Sequence, residues 1–199
     1  MFAVEADVEH LVSETVRRFG RLDIMVANAG IAGEDANLAD MTVEAWDEMM
    51  GVHLRGTFLC GREAVRAMRA AGCKGRIVTV GSVSGIESDV DGGHYNTAKA
   101  GIHGLTRSMA VDFARWGIRA NCVAPGWVRT DMTVPYIPPP GEPMLDCGVM
   151  GRVGEPEELA NAIVFLASES CSFVTGETIV IDGGQIIAAP DADPTGSAS

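Results

Sequence analysis

The stretch I-V-T-V-G-S-V-S-G, Ile77–Gly85, decides the fold. Its first four residues are apolar or β-branched without alternation, the pattern of a strand covered on both faces, and glycine and serine then end it. Beyond it, Tyr95–Trp116 reads as a helix. Toward the C-terminus, Arg119–Val123 reads as a strand, Pro156–Ala167 as a helix opened by proline, and Thr178–Ile181 as a last strand. Toward the N-terminus, Ile24–Ala27 reads as a strand. Thr42 then caps a helical segment running to about Ala70, in which Gly51, Gly56 and Gly61 suggest close packing. Phe2–Ala6 reads as a short strand, and Val8, Leu11, Val12, Val16 and Phe19 follow at helical spacing until Gly20. Strand alternates with helix throughout, so the expected fold is α/β, a doubly wound parallel sheet in one domain over residues 1–187. The prolines from Pro135 to Pro143 make Asp131–Met150 a long irregular loop, and Ala188–Ser199 is expected to be a disordered tail.

Composition narrows the function. The 199 residues carry a formal charge of −12 with no basic stripe, which argues against nucleic acid and anionic membranes as partners. Cys60, Cys73, Cys122, Cys147 and Cys171 are widely spaced and odd in number, so they read as reduced thiols of a cytoplasmic protein rather than metal ligands or disulfides. Neither a signal peptide nor an apolar stretch of membrane-spanning length is present in this sequence. The 24 glycines cluster in loops such as 81–85, 92–93 and 183–184, a sign of backbone brought close to a ligand.

The chemistry centres on Tyr95 and Lys99, four apart at the start of a helix and hence on one face, with Ser82 just past a strand end. An ammonium beside a phenol favours the phenolate, which would make Tyr95 an acid/base near neutral pH, and a serine hydroxyl opposite could hold a reacting oxygen. Y-x-x-x-K alone is weak, because an amphipathic helix with a core tyrosine and a snorkelling lysine shows it by chance.

Its context is specific. A-N-A-G at Ala27–Gly30, G-S-V-S-G at Gly81–Gly85, Y-N-T-A-K at Tyr95–Lys99, P-G-W-V-R-T at Pro125–Thr130 and I-D-G-G at Ile181–Gly184 occur in one order, and the loops among them follow strand ends, where open α/β sheets bind ligands. In this the chain resembles the classical branch of the short-chain dehydrogenase/reductase family, up to about Gly184. The resemblance implies a Rossmann-like sheet and an oxidoreductase that moves a hydride between NAD or NADP and a secondary alcohol or ketone. It makes Ser82, Tyr95 and Lys99 the catalytic group, with Lys99 also holding the nicotinamide ribose. It assigns Asn28, Ala29 and Gly30 to the cofactor ribose, and Pro125, Gly126, Val128 and Thr130 to the nicotinamide. Asp7 and Val8 match a strand-end pair whose aspartate meets the adenine, although Asp7 also suits an ordinary helix N-cap.

Two departures stand out. In V-H-L-R-G, Val52–Gly56, His53 occupies the place where the family has an asparagine that anchors a proton-relay water; a relay role and a structural role are both open. The remaining histidines, His10, His94 and His103, read as surface or packing residues. The family's T-G-x-x-x-G-x-G turn, which meets the pyrophosphate, is nowhere in these residues. Phe2–Ala6 is accordingly expected to match the family's third strand, in a chain N-terminally truncated relative to a longer gene product that binds cofactor better. Three functional readings follow: the dehydrogenase, a catalytically silent fragment serving as an interaction or structural domain, and, less well supported, an epimerase or dehydratase. The loop's Met132, Val134, Tyr136, Ile137, Met144 and Leu145 suggest an apolar lid over a non-polar carbonyl compound. The resemblance implies a homodimer or homotetramer built on the helices from Thr42 and Tyr95, and the large apolar Trp46, Met49, Met50, Phe58, Met109, Phe113 and Trp116 on them agree with it.

Overall fold

The structure is a computed structural model that describes residues 4–140, 142, 144 and 147–188. Four strands, β1 (Ile24–Ala27), β2 (Arg76–Val80), β3 (Arg119–Pro125) and β4 (Thr178–Ile181), form one parallel sheet in the order β1-β2-β3-β4. The helices are α1 (Glu5–Phe19), α2 (Val43–Met49), α3 (Gly56–Ala70), α4 (Gly93–Phe113) and α5 (Pro156–Ala167). All four expected strands from Ile24 onward, and the helix from Pro156, are present. Local chemistry explains the ends. Thr42 caps α2 by accepting from the Ala45 N–H at 3.1 Å, Gly20 closes α1 at φ 84°, and Glu155 and Glu158 form a capping box around Pro156.

The strand expected at Phe2–Ala6 does not form over its described residues: Val4 is extended, and Glu5 and Ala6 already open α1. Glutamate and alanine favour helix, and Glu5 and Asp7 suit the positive end of the helix dipole. Asp7 is therefore a first-turn residue rather than the N-cap, which is Val4, and Asp7 and Val8 lie on a helix instead of at a strand end. The segment from Thr42 to Ala70 is not one α-helix either. Between α2 and α3 the residues Met50–Arg55 widen into a π-helix, a form that recurs at functional sites.

Alternate strand residues build two cores. On one face Ile77, Met25 and Ala120 meet Val12 of α1, Val65 and Met68 of α3 and Met109 of α4; on the other Val78, Val80 and Val123 meet Leu166 of α5. Strands β2 and β3 are buried on both faces as their sequences require, whereas β1 alternates, leaving Ile24 and Val26 at 44% and 40% exposure. The cause is coverage: α5 packs on β2 and β3, so nothing described covers that face of β1. Met49 and Met109, expected at an interface, are core residues at 1% and 3% exposure, and Phe113 and Trp116 pack against the core; only Phe58 of that group is exposed. The long loop has one short 3-10 turn, Val134–Tyr136, and is otherwise irregular where described. Leu145 and the tail from residue 189 lie outside the described residues. No described helix is long and apolar enough to cross a membrane.

Candidate active site

Parallel strands end on one side, and the loops among the chemical motifs follow strand ends there, with Tyr95 and Lys99 on α4 beside them. Ser82 leaves β2 and caps the 3-10 turn Val83–Gly85, its Oγ accepting from the Ser84 N–H at 3.1 Å. That turn lies on the first turns of α4 because Gly85 permits it. A Cβ at this position would sit 2.7 Å from Ala100 N and Lys99 C, both backbone atoms. Seating the turn so closely brings Ser82 and Tyr95 into the lining of one cleft.

Lys99, one helical turn below Tyr95, is buried and donates from Nζ to the Val80 carbonyl at 3.0 Å, with its Nζ 5.4 Å from the centre of the Tyr95 ring. Burial lowers its pKa to about 8. Burial likewise holds the Tyr95 phenol above its ordinary value, and the nearby Ser82 hydroxyl only partly offsets this. The direction is opposite to that expected from the sequence. A lysine tethered to a carbonyl and poorly solvated does less for the phenolate than loss of water does against it. In this state Tyr95 is a protonated phenol at neutral pH, suited to giving a proton.

His53 projects from the π-helix toward the loop after β1. Its Nε2 lies 3.1 Å from the Ile31 N–H and 2.9 Å from the Ile31 carbonyl, accepting from one or donating to the other according to tautomer. The ring meets Tyr95 edge-on, with centroids 5.4 Å apart, and Nδ1 is buried without a partner. Burial first, then the Lys99 charge, lowers its pKa to about 4, so the imidazole is neutral near pH 7. Gly30 makes room for it: a Cβ there would lie 2.5 Å from His53 Cε1. His94 and His103 are buried packing residues, and His10 is exposed.

The remaining expected positions divide. Asn28 and Ala29 are exposed at the end of β1, open to a ligand, with Gly30 half-buried beside His53. Pro125 ends β3, and the Gly126 N–H donates to the Ile181 carbonyl at 3.0 Å, joining this loop to I-D-G-G. Val128 is buried and bridges to Gly154. Thr130 is exposed, its hydroxyl 3.1 Å from that of Thr133. Asp7 and Val8 are not brought to this cluster: Asp7 lies on a separate surface with His10 and Phe19. Between the loops opens a cleft of about 340 Å³, lined by Ser82, Tyr95 and Asn96, by Gly33, Asp35, Asp89 and Val90, and by Trp127, Met132, Tyr136 and Gln185. The Ala36 N–H donates to the Asp91 carbonyl at 2.9 Å, tying two of its walls together. Sequence reasoning missed Asp35, Asp89, Asn96 and Gln185. Asn96 sits inside Y-N-T-A-K and Gln185 follows I-D-G-G, but the two aspartates lie in aperiodic loops with no signal.

A serine, tyrosine and lysine so arranged at a parallel sheet edge invite comparison with known proteins. The family described as enoyl-(acyl carrier protein) reductase matches residues 3–185. Cis-4-hydroxycyclohexanecarboxylate dehydrogenase of Sinomonas cyclohexanicum is 43% identical over 90% of this chain and 72% of its own length. The chain belongs to the short-chain dehydrogenase/reductase family. Another member, the 3-oxoacyl-[acyl-carrier-protein] reductase of Thermotoga maritima, is 41% identical over 90% of this chain and 72% of the reductase. Among solved short-chain dehydrogenase/reductase structures, gluconate 5-dehydrogenase from Burkholderia cenocepacia in complex with NADP and tartrate aligns with TM-score 0.85 at 34% identity, covering 94% of this chain and 73% of that one.

Proposed function

We propose that the chain is an NAD- or NADP-dependent oxidoreductase acting between a ketone and its secondary alcohol. The observation that carries this reading is the meeting of Ser82 and Tyr95 in the lining of one open cleft, with the Nζ of buried Lys99 5.4 Å from the centre of the Tyr95 ring. The gluconate 5-dehydrogenase relative bound to NADP supports the choice of cofactor. The residues present fit the nicotinamide half of a dinucleotide: the exposed strand end at Asn28 and Ala29 and the loop Pro125–Thr130 would border it, and Lys99 would take its ribose. They do not supply a pyrophosphate site, since the T-G-x-x-x-G-x-G turn is not in these residues.

When bound, the dinucleotide supplies a hydride to the carbonyl carbon. Ser82 holds the carbonyl oxygen, and Tyr95, protonated, delivers its proton to that oxygen as the alcohol forms. Lys99 positions Tyr95 and carries the positive charge nearest the phenolate left behind. His53 is a positioning residue: by bonding Ile31 it fixes the loop after β1 against the helix that faces Tyr95. The five free cysteines suit a cytoplasmic setting, and Val43, Phe58 and Val111, exposed on the helices of one layer, support a homodimer or homotetramer.

Substitution Tyr95→Phe is expected to lower turnover of a cyclic ketone with NADH or NADPH by at least about a hundredfold, read by the loss of reduced-cofactor absorbance. Wild-type turnover by the variant would reject the mechanism. A second reading is a catalytically silent domain, and calorimetry showing no binding of either dinucleotide by the 199-residue chain would support it.

A further inference from the structure

The cleft before Ser82 and Tyr95 is apolar in its walls and acidic at its rim. Val83, Val90, Trp127, Met132 and Tyr136 supply the apolar lining, and among the described residues the carboxylate side chains on it are Asp35 and Asp89, with no lysine or arginine. Lys99 lies behind Tyr95, bonded to the Val80 carbonyl, and is not among the lining residues.

The polar atoms left over point the same way. Asn96 Oδ1 and Gln185 Oε1 are buried without partners, and both are acceptors; Asn96 is fixed in that orientation because its Nδ2 donates to the Asp89 carbonyl at 2.9 Å. A carboxylate or phosphate entering this space would shed water, find no cation to replace it, and meet two aspartates on a chain of net charge −12. A neutral ring or alkyl chain bearing a carbonyl, and a hydroxyl at most, meets only compatible surface.

We infer that the cleft selects uncharged, apolar ketones and alcohols and rejects those carrying a carboxylate or phosphate, an assignment that rests on the reading of Ser82 and Tyr95 as the group that holds the reacting oxygen. The acidic rim discriminates by repulsion as much as the walls do by attraction. Selectivity of this origin weakens as salt rises, because the rim aspartates are exposed.

The test is ligand-observed NMR titration of the 199-residue chain, without dinucleotide, using cyclohexanone and 4-oxocyclohexanecarboxylate at pH 7.5 and low ionic strength. Cyclohexanone is expected to bind at least about tenfold more tightly. The gap should shrink about threefold or more in Asp35→Asn/Asp89→Asn, and also in the unaltered protein at high salt. Equal or tighter binding of the carboxylate, binding of neither probe, or a gap untouched by both the variant and salt would overturn the inference. Since no hydride is transferred in this measurement, a chain that shows the selectivity but no turnover would sink the dehydrogenase reading alone. Turnover of the carboxylate at parity would sink the selectivity and leave that reading standing.

Discussion

His53 is a neutral imidazole enclosed by protein, and that has a cost in acid. Its pKa is lowered to about 4 in the folded chain against 6.5 in the open one, so the unfolded state binds the extra proton over that interval. Stability from this group is complete above pH 6.5 and is lost as pH falls toward 4, by roughly 3 kcal/mol in all. Substitution His53→Asn, which restores the family's residue, should remove most of that acid sensitivity. Urea unfolding at pH 7 and pH 4.5 checks it, and equal loss of stability in both proteins would show that the carboxylates alone set the acid limb. Lys99 acts in the same sense at higher pH. Its pKa of about 8, below the ordinary 10.5, makes the fold more stable as pH rises through the interval between those values. The site residues themselves were legible as a spacing. What the spacing hid was the sign of the Tyr95 shift, because Y-x-x-x-K reports which groups are neighbours but not how much water each has lost.

Seating of the Val83–Gly85 turn on α4 is the element-level event that assembles the site. Alanine at Gly85 would press a Cβ into the backbone at Lys99 and Ala100, forcing the turn outward and Ser82 away from Tyr95. Gly85→Ala is expected to cost about 1–3 kcal/mol in chemical denaturation. It should also reduce kcat at least tenfold, since small displacements of positioned groups are magnified in rate. A variant with lowered stability and unchanged kcat would separate the turn from the chemistry. Strand and helix positions from Ile24 to Ile181 could be read directly, since buried parallel strands and capped helices leave strong local patterns. The misses were weak-pattern regions. Phe2–Ala6 looked apolar enough for a strand but opens a helix with Glu5 and Ala6, and the π-helical widening at Met50–Arg55 has no mark of its own in V-H-L-R-G. The cleft's aspartates escaped notice because their place depends on two loops meeting through Ala36 and Asp91, a long-range fact.

For the molecule as a whole, the two layers are unequal. Among the described residues, three helices cover one face of the sheet and α5 alone covers the other, and Ile24 and Val26 on β1 stand bare. An apolar strand at a sheet edge invites pairing with another chain. The 199-residue protein should therefore self-associate at micromolar concentration in sedimentation velocity. Ile24→Lys/Val26→Lys should shift it toward monomer if β1 is the contact, whereas Phe58→Glu/Val111→Glu should do so if the helical layer is. Monomer throughout would reject both surfaces.

The strand order β1-β2-β3-β4 repeats the order of the chain. None of the described strands has to wait for a later one to be inserted beside it, so these four can be laid down during synthesis, one crossover at a time, with β1 and the newest strand as the open edges. Ser82, Tyr95 and Lys99 all precede β3 in the chain, so the residues proposed to do the chemistry emerge from the ribosome before those of α5.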